Sequence, residues 1–209
     1  MKADIKSQWF SLASKYTKDD FLINSLWLEI SKHYSEKNRY YHTLTHVQNM
    51  LLQAKSFEDK IVDFDALLFA IWYHDIIYKS TKKDNEEKSA LFAKKSLKSL
   101  NFEGNRLKNI QNLILSTKKH FLILDKNIDN AYLLDFDLSI LGSDWEIYKE
   151  YTTQIRREYK IYPDFMYKPG RKKVLQHFLE RETLYFTEAY QVTHENRARE
   201  NLKKELELL

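Results

Sequence analysis

An all-α fold in one domain spanning residues 1–209 is predicted by three features of this chain. It holds three glycines and two prolines in 209 residues, too little turn punctuation for a fold of many strands. Its hydrophobic content of 43% is enough for an extensive core. Its large apolar residues recur at helical spacing along most of the length.

Each element follows from that spacing. Trp9 to Tyr16 predicts a first helix, and Phe21, Leu22, Leu26, Trp27 and Ile30 predict a second. Asn38 and Arg39 break the pattern, after which Thr43 or Thr45 starts a third helix that turns His46, Val47, Met50 and Leu51 to the core. Asp63 or Asp65 is the N-cap expected for a helix over Ala66–Tyr78. Asp84, three residues before Glu87, has the spacing of a capping box and opens a helix to about Leu100. Gly104 marks the next turn, and a helix from about Asn105 to Lys119 ends near His120. A loop with Asp125, Asn127 and Asp129 then leads to a short apolar helix bearing Asp135 and Asp137, which Gly142 is expected to terminate. Three amphipathic helices close the chain, Asp144–Tyr159, Arg171–Glu182 and Glu188–Leu208, with Pro163, Pro169 and Gly170 between the first two. No repeat or linker divides the sequence.

Composition excludes several kinds of chemistry. Without cysteine there are no disulfides, thiolate metal sites or cysteine nucleophiles, so any metal must sit on histidine and carboxylate. No Gly-rich phosphate loop occurs. The longest apolar runs fall far short of the roughly 18 to 20 residues that span a bilayer, and Met1-Lys2-Ala3-Asp4 lacks a signal-peptide core. A soluble, cytoplasmic protein is expected. The 34 basic and 30 acidic residues are interspersed, which predicts solvated helix faces rather than a nucleic-acid footprint, and leaves a homo-oligomer open.

The chemistry-bearing residues are concentrated. His42 and His46 stand four apart, one helical hairpin before Phe69-Ala70-Ile71-Trp72-Tyr73, a run that ends in His74-Asp75. Two polar side chains closing a buried stretch are costly unless something pairs with them, and a metal ion would do so. The apolar segment from Leu133 to Gly142 offers Asp135 and Asp137 as further carboxylates. A zinc-protease reading of His42 and His46 fails because Thr43 stands where that chemistry needs glutamate.

In Arg39-Tyr40-Tyr41-His42-x3-His46, Trp72-Tyr73-His74-Asp75-Ile76-Ile77-Tyr78 and Asp84-Asn85-Glu86-Glu87-x-Ser89-Ala90, the chain resembles the HD-domain superfamily. More narrowly, it resembles a family of predicted metal-dependent phosphohydrolases within it. Asp135-x-Asp137-Leu138-x-Ile140-Leu141-Gly142, Ile155-Arg156-x-Glu158-Tyr159, Gly170-Arg171-x2-Val174-Leu175 and Ala198-Arg199-x-Asn201-Leu202 spread the resemblance over nearly the whole chain. The resemblance implies an HD-type helical bundle holding one divalent ion, of Mn, Fe, Co, Ni, Zn or Mg, on His46, His74, Asp75 and Asp137. It also implies hydrolysis of a phosphoester in a small phosphorylated metabolite, a nucleotide first among them. The competing expectation is a metal-containing module that binds a nucleotide without turning it over.

Around those ligands, Arg39 and Lys79 are the nearest cations in sequence, expected to meet phosphate oxygens. His42 is expected to bond phosphate or to orient His46. Glu86 is preferred over Asp84 and Glu87 for proton transfer, because the latter two suit helix capping. His120 is expected to contact the phosphate or leaving group. Arg156, Arg171, Arg181 and Arg199 are expected as helix-to-helix clamps with Glu158 or Glu195, and Tyr148, Tyr151, Tyr159 and Tyr185 as core.

Overall fold

The structure, a computed structural model, describes residues 4–124 and 127–209. The expected loop residue Asp125 and the leading Met1, Lys2 and Ala3 lie outside the described residues. Among the described residues all regular structure is helical, as the scarce glycine and proline predict. The helices are α1 (Ile5–Ala13), α2 (Asp20–Tyr34), α3 (Leu44–Ser56), α4 (Phe64–Tyr73), α5 (Asn85–Lys98), α6 (Gly104–Ser116), α7 (Ile128–Leu138), α8 (Trp145–Glu158), α9 (Asp164–Leu179) and α10 (Glu188–Leu208), with short 3-10 turns at Glu58–Lys60 and Ser139–Gly142. No helix among the described residues is long and apolar enough to cross a membrane. The chain divides into two compact units, the first ending at Leu133 and the second beginning at Leu134.

The first unit is organised around α4. Seven of its residues, from Ala66 to Tyr73, are buried, because α3, α5 and α6 all pack on it. Asp63 is its N-cap, accepting from the Ala66 N–H at 3.0 Å. The Asp129 carboxylate, itself buried, receives the N–H groups of Val62 (2.7 Å) and Asp63 (2.9 Å), so the start of α4 is held by a side chain distant in sequence. Trp9 sits edge-on to Phe69, Trp72 and Tyr73 with ring centroids 5.6–6.1 Å apart, and its indole N–H is satisfied by the Ile23 carbonyl at 3.1 Å. Each such ring contributes about 1.5–3 kcal/mol by leaving water.

α4 ends at Tyr73, five residues before the predicted boundary at Tyr78. The reason lies in the side chains that take over the backbone beyond it. Arg39 donates to the carbonyls of Asp75 and Ile76, Ser89 Oγ meets both the N–H and the carbonyl of Ile77, and the Asn85 amide does the same for Lys79. Side chains thus replace the helical ladder. The predicted capping box on α5 does not form either: Asp84 pairs with Lys88, and Glu87 pairs with Lys118.

The second unit is held by polar groups as well as apolar ones. Asp135, fully buried, accepts from Phe186 N (2.8 Å), Thr187 N (2.8 Å) and Thr187 Oγ1 (2.6 Å), fixing the start of α10. Arg171 makes a bidentate pair with Glu205 at 2.7 and 2.9 Å, and Tyr148 donates its hydroxyl to the same carboxylate. Glu195 receives the Leu184 N–H and Arg199 Nε, while Arg199 also donates to the carbonyls of Leu179, Arg181 and Glu182. The Arg199–Glu195 pair therefore lies within α10, with Arg199 reaching the end of α9 through backbone carbonyls, and the helix-to-helix pair on Arg171 uses Glu205 instead of Glu158 or Glu195. Arg156 pairs with Asp164.

Three punctuation residues act differently from their prediction. Gly142 lies beyond the end of α7; a Cβ there would sit 2.7 Å from His194 Cβ and 2.8 Å from its carbonyl oxygen, so the missing side chain serves the close approach of α10. Pro169 and Gly170 lie inside α9, not before it. Pro169 has no N–H to donate to the Phe165 carbonyl one turn earlier, and Phe165 is an exposed residue.

Candidate metal centre

α3 and the end of α4 bring three ligand-type residues together in the first unit. Thr43 caps α3, its hydroxyl facing the Thr45 N–H at 3.3 Å, which puts His46 in the first turn and buries it. His74 is the C-cap of α4, and Asp75 follows beyond the helix. The nearest ligand-type atoms of His46, His74 and Asp75 all lie within 4.8 Å of one another.

The hydrogen bonding makes this group unusual. His74 Nδ1 lies 2.9 Å from the Ile71 carbonyl, and a carbonyl only accepts, so Nδ1 carries a proton. In the neutral ring Nε2 is then a lone pair. That lone pair faces His46 Nε2 at 3.2 Å and Asp75 Oδ2 at 3.1 Å, with His74 only 1% exposed. A proton on His74 Nε2 could serve one of these neighbours, whereas a divalent cation would serve all three. The spacing fits one: donors about 2.1 Å from a common ion, and roughly 100° apart at it, lie about 3.2 Å from each other. The group is able to hold a metal ion, and its two imidazoles and one carboxylate suit a borderline divalent cation.

The second layer is formed by residues the sequence named for other tasks. His42 precedes the cap of α3, so its four-residue spacing from His46 is not a helical one, and the two ring centroids are 6.2 Å apart. Its Nε2 is 4.0 Å from Asp75 Oδ2, and its ring stacks on Tyr78 at 4.0 Å. Arg39, expected at the substrate, is buried, with its guanidinium donating to the carbonyls of His42, Asp75 and Ile76. Glu86 is half-buried on the first turn of α5; burial pushes its carboxyl above the usual range, with the charges of Asp75 and Glu87 acting in the same direction. Lys79 is exposed, while its backbone is gripped by Asn85. His120, half-buried beyond α6, adopts a left-handed backbone at φ 49°. Asp137 belongs to the second unit, near the end of α7, and is half-buried.

Asn85, Ser89 and Tyr78 build this region without having been assigned roles from sequence. Asn85 and Ser89 stand four apart on α5 and are both buried, and polar residues on an otherwise apolar helix face are the signal that points to them. Comparison with protein-family models, with curated proteins and with solved structures gives no match. The functional reading therefore rests on this geometry and on the sequence motifs.

Proposed function

We propose that this chain is an HD-type metal-dependent phosphohydrolase that cleaves a phosphoester of a small phosphorylated metabolite of the nucleotide class. The observation that carries the reading is the convergence of His46 Nε2, His74 Nε2 and an Asp75 oxygen, with the His74 ring turned by its bond to the Ile71 carbonyl so that a lone pair faces the other two. Asp137 is the further ligand implied by the resemblance. A divalent ion bound there would acidify water and polarise a phosphoryl oxygen, which is the chemistry that hydrolysis of a phosphoester needs.

The chain's own side chains supply the remaining functions. Glu86, on the first turn of α5 and within electrostatic reach of Asp75, takes the proton of the attacking water or delivers one to the leaving oxygen. Lys79 and His120 offset charge on the nonbridging oxygens, and His42, beside Asp75, donates to the phosphate. Arg39 has no substrate contact in this reading, because it is buried and its Nη1 and Nη2 groups donate to backbone carbonyls.

The test is metal content by mass spectrometry on wild type, Asp75→Ala and Asp137→Ala, paired with phosphate release from nucleotides and phosphomonoesters in several divalent ions. Stoichiometric metal in wild type, lost in Asp75→Ala, is expected, with Glu86→Gln keeping its metal while turnover falls about 10²–10⁴-fold. Unchanged metal in Asp75→Ala would sink the site. Metal without phosphate release across the panel would identify a binding module in place of an enzyme.

A further inference from the structure

Arg39 touches both halves of the metal cluster without being one of its ligands. Its Nη1 donates to the Asp75 carbonyl at 2.6 Å and to the His42 carbonyl at 3.2 Å, and its Nη2 donates to the Ile76 carbonyl at 2.8 Å. The residue is 6% exposed. The guanidinium lies 5.0 Å from the Tyr34 ring centroid and 5.7 Å from that of Tyr78, and Tyr78 is the ring on which His42 stacks. Tyr34 in turn donates its hydroxyl to the Trp72 carbonyl in the last turn of α4.

We propose that Arg39 is the positioning residue of the metal cluster: one buried guanidinium ties the exit of α4, which carries His74 and Asp75, to the segment that enters α3, which carries His42 and His46. The inference rests on the metal-site reading and adds to it the group that sets the separation of the ligands.

The physical grounds are specific to arginine. The chain leaving α4 has carbonyls without a helical partner, at the negative end of that helix, and a cation there is favourable. Gripping two successive carbonyls through two different nitrogens fixes the direction of the Asp75–Ile76 backbone, and the third bond places the His42 backbone against it. A lysine ammonium supplies charge from a single point and cannot reproduce a planar fork. Since metal affinity falls steeply when ligands move by an ångström, a clamp on the main chain of two ligand-bearing segments acts on affinity without touching the ion.

The experiment uses the full chain and Arg39→Lys, which retains the charge and removes the fork, with Arg39→Gln as a second variant should the first not fold. Cobalt(II) is the probe, followed by its visible absorption. The histidine ring resonances of the metal-free protein are recorded as a readout that needs no metal. Arg39→Lys is expected to bind cobalt about 10–100-fold more weakly, with an altered absorption band. In the metal-free state the ring resonances of His42, His46 and His74 should move while those of His33 and His177 stay in place. Wild-type cobalt affinity and spectrum in a folded Arg39 variant would overturn the positioning role alone. A wild type that binds no cobalt would overturn the metal-site reading and this inference with it.

Discussion

The two units bury polar groups in opposite ways. In the second, donors meet acceptors: Arg171 and Tyr148 converge on Glu205, the Thr187 hydroxyl and two N–H groups converge on Asp135, and Arg199 and the Leu184 N–H converge on Glu195. In the first, at the end of α4, three ligand-type side chains face one another: His74 Nε2 lies 3.2 Å from His46 Nε2 and 3.1 Å from Asp75 Oδ2. The first pattern is what folding alone selects, since a buried carboxylate costs several kcal/mol unless it is paired. The second sets two imidazoles and a carboxylate where one cation could meet all three. Buried polarity thus points to a candidate site where the groups brought together are those that a single cation takes.

The comparison predicts three stability responses of decreasing size. Glu205→Ala leaves Arg171 buried without its carboxylate and should cost about 3–5 kcal/mol in urea unfolding, the usual penalty for breaking a buried pair. A cost below about 1 kcal/mol would mean that the second unit does not depend on its saturated pairs.

His74→Ala should behave in the opposite sense. Wild type should gain about 2.7 kcal/mol of stability when the free metal reaches roughly a hundred times its Kd, and the variant should lose that gain entirely. Equal metal-induced shifts in Tm for the two proteins would erase the contrast between the units.

The third response shows that the contrast belongs to the site and not to the whole first unit. Hydrogen bonds from Arg106 hold the Asp63 carboxyl below its ordinary 3.8, and Asp63 also caps α4. A depressed carboxyl contributes stability that is complete above its unfolded value and is lost as the pH falls through its folded one. The stability gap between wild type and Arg106→Gln should therefore be largest above about pH 4 and narrow progressively below it. A gap independent of pH from 2 to 7 would remove the pair from the acid response.

Much of the first unit was legible before its structure. The all-helical class and an N-cap at Asp63 or Asp65 follow from composition and spacing, and the grouping of His46, His74 and Asp75 was implied by the family resemblance. The exit of α4 was not legible, because the pattern Ile76-Ile77-Tyr78 continues a helical spacing, while side chains from outside that helix, Arg39, Asn85 and Ser89, capture its backbone. The burial of Arg39 was not legible for the same reason, since it depends on carbonyls more than thirty residues away along the chain.

Sequence by itself determined the helical class, the absence of thiol chemistry and the residue types able to hold an ion, because these depend on composition and on local periodicity. Tertiary structure alone decided where α4 stops, which carboxylate each arginine meets, that Gly142 is needed for the approach of His194, and that the His74 lone pair faces its neighbours. Those depend on hydrogen-bond partners and close contacts between residues far apart along the chain, and a local pattern carries no record of which distant donor will reach which acceptor.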